Sequence, residues 1–289
     1  MWQEPLSPSA SRAPVLVDYH VHSTFSEDAR STPEEIVEAA LRRGLDAVVF
    51  TEHLEFPPPP GWKEPAYVPG RVLPAGEYLS AVAALREARG TELEIGAGAE
   101  LGLEGHNLEG LDPYLERFRP DFDFVIGSLH SVNGTLVQLP EYTDPHGPAA
   151  AARLYLEKLV AGVKKAAAMK ACDVIGHIDL FKRSPTFGPF RPDDQRDCLE
   201  ELFRTIIDAG MGLEVNTSGY RQPPREPYPG LETLRLYRRM GGEIVTIGSD
   251  SHTAQTVGLG SAEALDFIRA AGFRYMTLFS GRRPRFVRI

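Results

Sequence analysis

The sequence predicts an α/β fold: a distorted seven-stranded (β/α) barrel of the TIM type, built as a single domain. Three observations carry that prediction. Short β-branched runs alternate with amphipathic helical stretches, seven such runs are present, and most of them are near-continuously apolar. Strands of that kind belong to a parallel sheet covered on both faces. A chain of 289 residues suits one barrel, since barrels of about 250 residues commonly form one unit.

The elements run in order along the chain. Residues 1–14 are expected to form a flexible arm, and 15–289 the barrel. Strand one is Val15–Tyr19. The first helix, Pro33–Arg43, has Thr32 as its N-cap and Pro33 at its first position, and Gly44 stops it. Strand two, Asp46–Thr51, is followed by a proline-rich segment, Phe56–Pro74, and a helix, Gly76–Ala88. Strands three and four are Leu93–Ala99 and Phe122–Ser128, and the long helix Pro148–Met169 comes next. Strand five, Val174–His177, precedes a helix over Pro192–Ala209. Strand six, Gly212–Asn216, runs into the irregular Gln222–Gly230 and a helix, Pro229–Met240. Strand seven, Ile244–Gly248, and a helix, Ser261–Ala270, complete the barrel, with Arg282-Arg283-Pro-Arg285 expected as a solvated terminus. Both irregular segments come after strands, which puts them on the C-terminal face of the barrel, either as stiff surface loops or as a rim enclosing a substrate.

Composition narrows the function. With 42% hydrophobic and 25% charged residues, the chain is an ordinary globular one rather than a disordered one. A net charge of −9 argues against a partner held by bulk attraction to nucleic acid or anionic lipid, so phosphate binding must be local. No run is long and apolar enough to suggest a membrane span or a signal peptide, and no membrane or nucleic-acid partner is expected. Cys172 and Cys198 are too few for a disulfide framework, which fits packing roles and a cytoplasmic location. The sequence leaves the oligomeric state open.

The chemistry sits at the strand ends. His20 and His22 close strand one two residues apart, a spacing that puts both on one face. His53 follows strand two, Glu100 strand three, His130 strand four, His177 strand five, and Asp250 with His252 strand seven. A barrel brings all C-terminal strand ends to one mouth, so these residues become neighbours. One histidine at a strand end is ordinarily a rim residue. Six of seven strands ending this way is a metal-type donor set, since buried imidazoles and carboxylates at that density need cations. His106 and His146 lie off the pattern and are expected to be solvated.

The run His20-X-His22, Asp28 six residues later, His53, Glu100, His130, His177 and Asp250-X-His252 resembles the polymerase and histidinol phosphatase (PHP) superfamily over residues 18–252. The stretches Gly176–Arg183 and Asn216–Arg221 look like its monofunctional histidinol-phosphate phosphatases. The resemblance implies three divalent metals per chain. His20, His22, Glu100 and Asp250 would hold the first, Glu100 as a bridge with His130 and His177 the second, and Asp28, His53 and His252 the third. Zinc is expected, with iron or manganese as alternatives. Asp28 stands where relatives can carry histidine, and its harder oxygen shifts the third site towards iron or manganese.

The activity this implies is that of a phosphomonoesterase that releases L-histidinol and inorganic phosphate from L-histidinol phosphate in histidine biosynthesis. Three divalent cations against three carboxylates and one hydroxide leave about +2 for a phosphate dianion. The expected nucleophile is a metal-bridging hydroxide. Arg183 after strand five and Arg221 after strand six are the candidate phosphate clamps, because guanidinium offers two parallel donors to phosphate oxygens. Asp18, Glu52 and Asp179 are candidate carboxylate supports for the metal-binding imidazoles. No side chain stands out as general acid; Asp250 or His252 would act only through metal-bound water. Glu104, Glu109, Tyr142 and the proline-rich loop are candidates for reading the imidazole and amine. The alternatives are a nucleotide phosphatase or exonuclease of the PHP type using the same metals, a non-catalytic PHP module, and an amidohydrolase-type barrel, for which one or two metals per chain would be expected.

Overall fold

The computed structural model describes residues 14–289, so all but Pro14 of the expected arm lies outside the described residues. Seven parallel strands form one sheet: β1 (Val17–Val21), β2 (Ala47–Leu54), β3 (Glu94–Gly102), β4 (Phe124–Ser128), β5 (Val174–Ile175), β6 (Gly212–Asn216) and β7 (Val245–Gly248). They are hydrogen-bonded in chain order, β1 through β7. Each βα unit therefore lays its strand beside the previous one. The seam between β7 and β1 closes by single contacts instead of a ladder. Val21 bridges Ser251, His22 N donates to Ser251 O at 2.8 Å, and Asp250 N donates to His20 O at 2.8 Å. The register of β1 also shifts between Asp18 and Val21. These two features make the barrel distorted.

Helices α1 (Pro33–Arg42) and α2 (Ala75–Arg89) cover the first strands. In α1 the side chain of Thr32 accepts from Glu35 N while Glu35 reaches back to Thr32 N, a full capping box. Beneath it Ile36, Val37, Ala39 and Ala40 are buried. Two short helices, α3 (Gly105–Glu109) and α4 (Asp112–Phe118), and the four-residue α5 (Pro140–Thr143) are additions to the expected elements. The long α6 spans Pro148–Met169 as expected, and α7 (Arg196–Asp208) is preceded by a 3-10 turn over Pro192–Gln195. Finally, α8 (Leu231–Arg239) and α9 (Ser261–Ala270) flank β7. No helix among the described residues is long and apolar enough to cross a membrane.

The C-terminus corrects one expectation. The terminus is not a loose tail: β8 (Tyr275–Ser280) and β9 (Arg283–Arg288) form an antiparallel hairpin, although Arg283, Pro284 and Arg285 are solvent-exposed as expected. It sits against the floor of the barrel, at the end away from the strand C-termini. Phe279 packs on Phe124 with ring centres 5.1 Å apart, Phe124 meets Tyr19 edge-on at 5.4 Å, and the Tyr19 hydroxyl donates to Phe279 O. Arg282 grips Asp173 through Nε at 2.9 and 3.0 Å. Both cysteines are buried free thiols, as their packing role required.

Candidate metal centre

The strand ends, with Asp28 from the loop after β1, bring all nine expected donors together. His20 Nε2 lies 3.1 Å from His22 Nε2, 3.3 Å from Glu100 Oε1 and 3.8 Å from Asp250 Oδ1. Next to them His130 Nε2 and His177 Nε2 approach Glu100 Oε1 at 3.2 and 2.9 Å. On the outer side His252 Nε2 and His53 Nε2 approach Asp28 Oδ2 at 3.1 and 3.5 Å, and His53 Nδ1 lies 2.9 Å from Glu100 Oε2. Glu100, 1% exposed, is thus the hub between three neighbourhoods. His177 and Asp250 both have positive φ, 21° and 53°, a strained backbone that persists here where side chains must converge. Gly248 gives His20 and Glu214 room: a Cβ there would collide with His20 Cβ and Glu214 Oε1.

The partners of the outward-facing ring nitrogens indicate what the donor set is built for. His20 Nδ1 faces Glu214 Oε1 at 2.6 Å, so the proton belongs on Nδ1 and the Nε2 lone pair is left for the cluster. His130 Nδ1 faces Glu55 Oε1 at 2.9 Å and obeys the same logic. For His22 the chain is longer. Ser26 Oγ spends its only proton on Glu52 at 2.6 Å, so its oxygen accepts from His22 Nδ1 at 3.2 Å. When both imidazoles are neutral, the nitrogens of His20 and His22 that meet in the cluster are then both lone pairs. With neutral imidazoles, lone pairs that close need a shared cation, and the buried Glu100 carboxylate stands among them as its counter-charge. The residues fit divalent metals by their chemistry: imidazole and carboxylate only, with no thiolate.

The electrostatics agree. Burial and the neighbouring His252 and His53 hold His22 well below its usual pKa, in the neutral ligand form. Burial also opposes protonation of His20, but Glu214, Glu100 and Asp250 overcome it and push the pKa well above 6.5. His53 and His130 are likewise raised against burial, chiefly by Asp28 and Glu100 for the first and by Glu100 and Glu55 for the second. Burial works against Glu100 and Asp250 too, yet their surrounding cations keep both well below the carboxylate range. Without metal ions, then, the anionic cluster draws protons onto imidazoles. Metal uptake must displace them.

Two arginines overlook the cluster. Arg183, at the end of the turn Leu180–Arg183, donates from Nη2 to Ser218 Oγ at 2.9 Å and Asp250 Oδ2 at 3.1 Å. Arg221, at the end of the turn Thr217–Arg221, donates from Nη2 to Ser249 O at 2.8 Å. Arg183 Nε and Arg221 Nη1 are buried donors without partners. Unspent guanidinium N–H groups beside a cation site make an anion receptor.

Several expected supports do other work. Asp18 turns to Ser249 N, Ser249 Oγ and Gly258 N at 2.8, 2.5 and 2.7 Å, holding the seam of the barrel instead of a ligand ring. Asp179 binds Lys182 and Gly230 N. Glu52, which burial pushes up to about 7, acts on His22 only through Ser26. The carboxylates that do hold imidazole N–H groups, Glu214 and Glu55, were absent from the sequence-based set. One signal pointed to Glu214, a lone acid inside the apolar run Gly212–Asn216.

The candidates for reading the rest of the substrate also shift. Tyr142 is buried and donates to Ala151 O, and Glu104 accepts the backbone N–H groups of His130 and Ser131. Tyr142 is thereby structural, whereas Glu104 also lines a side cavity of about 370 Å³. Glu109 and the proline-rich segment's Trp62 border the same cavity, which also touches His106. Contrary to expectation His106 is buried, 5% exposed, with its ring against Trp62, whereas His146 is solvated. The proline-rich segment lies where expected, on the C-terminal face. There Arg71 donates to Thr24 O and Phe25 O, beside the loop that carries Asp28.

Comparison with known proteins gives this geometry relatives. The model of the PHP domain matches residues 18–218. A probable histidinol-phosphatase of Deinococcus radiodurans is 32% identical over 265 residues, spanning 91% of this chain and 96% of its own. A histidinol-phosphatase of Lactococcus lactis subsp. lactis is 27% identical over 283 residues, with 92% and 95% covered. The crystal structure of a histidinol phosphate phosphatase from Lactococcus lactis subsp. lactis, complexed with zinc, L-histidinol and phosphate, superposes with a TM-score of 0.82 at 27% identity over 93% of this chain and 98% of that one.

Proposed function

Because the chain belongs to the PHP domain family, we propose that its barrel mouth is the active site of a phosphomonoesterase that hydrolyses L-histidinol phosphate to L-histidinol and inorganic phosphate, the phosphatase step of histidine biosynthesis. The observation that carries this reading is the likeness, over nearly the whole length of both chains, to a phosphatase holding zinc, L-histidinol and phosphate. The metal-type cluster and the unspent arginine donors support it from within the chain.

Three divalent ions are part of the proposal. His20, His22, Glu100 and Asp250 would hold one, Glu100, His130 and His177 a second, and Asp28, His53 and His252 a third, with zinc expected and iron or manganese as alternatives, above all at the site containing Asp28. When bound, these ions supply positive charge that polarises the phosphoryl group and acidifies water near neutral pH. The protein's own work is orientation. Glu214, Glu55 and Ser26 each hold an imidazole Nδ1 and so fix which nitrogen faces the cluster. Arg183 Nε and Arg221 Nη1 would receive the non-bridging phosphate oxygens and neutralise charge as the ester bond breaks. Asp250 anchors Arg183 from the other side, which sets the guanidinium beside the cluster. A cytoplasmic location belongs to the same reading, supported by two buried free thiols.

The test is phosphate release from histidinol phosphate, a nucleoside monophosphate and a short oligonucleotide, by protein stripped with chelator and then supplied with zinc, manganese or iron. Strong preference for histidinol phosphate, lost on chelation and restored by metal, is expected. Turnover confined to the nucleotides would overturn the substrate, and full activity after exhaustive chelation would overturn the metal.

A further inference from the structure

Lys182 sits one residue before Arg183, and its side chain is only 4% exposed. A lysine is almost never so deeply buried unless it is paired, and this one is paired twice. Nζ donates to Asp179 Oδ2 at 3.0 Å within its own turn and to Glu226 Oε1 at 2.7 Å in the segment after β6. Asp179 Oδ2 also accepts Gly230 N at 3.3 Å. One ammonium thus ties the segment at residues 226 and 230 to the turn that carries Arg183. Fit is tight at both places. A Cβ at Gly230 would lie 2.7 Å from Glu226 Oε1, and one at Gly219 would lie 2.0 Å from Glu226 O.

Tyr228 lies between those ties. It is wholly buried, and its backbone is bonded both ways to Asn216, at 2.7 and 3.0 Å. Lys182 Nζ stands 5.6 Å from the centre of its ring, and the guanidinium carbon of Arg183 stands 5.7 Å from the same centre. Both are within reach of the attraction between a cation and an aromatic face. Arg183 is therefore held on two sides, by the ring of Tyr228 and by the acceptors Ser218 and Asp250. The hydrogen bonds and ion pairs of Lys182 go to Asp179 and Glu226, neither of them a cluster residue.

We propose that Lys182 is a positioning residue for the phosphate-binding arginine: by clamping Glu226 and Asp179 it fixes Tyr228, and Tyr228 fixes the plane in which Arg183 presents Nε. This rests on the reading of Arg183 as a phosphate ligand. Stability alone is a poor reason for such a pair, because buried ion pairs are commonly no better than apolar packing. Orientation is a better one. A guanidinium side chain carries much rotamer freedom, and its fork-like donors bind an oxyanion well only when the plane is set.

The experiment measures KM, kcat and competitive inhibition by inorganic phosphate for the metal-loaded enzyme and for K182M, K182R, E226Q, R183A and the double variant K182M/R183A. K182M and E226Q are expected to weaken phosphate binding and raise KM by about tenfold, with a smaller change in kcat. K182R, which keeps a cation over the ring, is expected to recover most of that loss. In the R183A background K182M should cost nothing further, because its effect passes through Arg183. Additive losses in the double variant, or unchanged phosphate inhibition in K182M and E226Q, would overturn the proposal. Unchanged inhibition in R183A would instead overturn the clamp reading, and the proposal with it. Should K182M fail to fold, E226Q carries the test, since the Glu226 side chain is 43% exposed.

Discussion

Gly248 shows how little space separates structure from chemistry at the level of single residues. Its missing side chain is where His20 and Glu214 meet, so G248A must displace one of them. Loss of most metal binding is expected, measured as metal retained per chain after gel filtration; retention equal to wild type would refute this. E214Q is a gentler probe. It keeps the shape but weakens the bond to His20 Nδ1, and a loss of about 10- to 100-fold in metal affinity is expected in competition titrations with a chelating dye. An unchanged affinity would mean that Glu214 only fills space. For the arginines, R183A and R221A should each lower kcat/KM by about tenfold or more, and normal turnover in both would remove them from the site. At this scale the sequence was legible where a residue's role depends on its own strand. His20, His53, Glu100, His130, His177 and Asp250 are found by asking what ends a parallel strand. The roles of Glu214 and Glu55 depend on which side chain stands opposite after the barrel curls, and no spacing within one strand carries that information.

Elements divide into those that build the mouth and those that close the floor. Arg282 belongs to the floor, where it holds the mostly buried Asp173, whose Oδ2 also accepts Val125 N at 2.8 Å. Burial pushes the Asp173 carboxyl up, and Arg282 is the main force restraining it. R282A should therefore cost about 3 kcal/mol of stability, read as a lower urea midpoint, while kcat/KM measured well below the transition stays near wild type. A matching fall in kcat/KM would show that floor and mouth are coupled. The cap of α1 offers a smaller test: T32A should cost about 1 kcal/mol with activity intact, and no change in the midpoint would mean that the cap is solvated away. The seven barrel strands were legible because each is an apolar run bounded by turn residues. The hairpin was not, although Tyr275–Ser280 is just such a run, because the arginines and proline after it resemble a solvated tail. Edge strands in fact tolerate both, since one side of the ladder is free. The short α3 and α4 escaped for a different reason. They have too few turns for a periodic apolar stripe, and α3 is pinned by Asn107, whose side chain bonds Leu54 O and Gly102 O.

For the molecule as a whole, charge and pH decide how metal and fold support each other. The raised pKa values of His20, His53, His130 and His252 mean that the metal-stripped fold is helped by bound protons. That help is complete below the unfolded value of about 6.5 and fades as pH rises through the higher folded values. Protons also compete with metal for the same nitrogens. Both effects have one sign, so the rise in melting temperature on adding metal should grow steadily from pH 6 to pH 8.5. A gain that is flat or shrinks with pH would contradict the cluster's assignment. The seam between β7 and β1 bears on how such a protein comes into being. Asp18 finds Ser249 and Gly258 at separations of 231 and 240 residues, and Tyr19 finds Phe279 at 260. Contacts so distant along the chain form late and slowly. During synthesis the first strand emerges early and waits for almost the entire remaining chain before its buried acid and its two histidines have their neighbours. A ribosome that stalled before residue 250 would present seven of the nine donors on an open sheet, able to capture metal but unable to close around it. Two donors, Asp250 and His252, thus arrive only with the last barrel strand, and the complete site can form only when nearly the whole chain has been made.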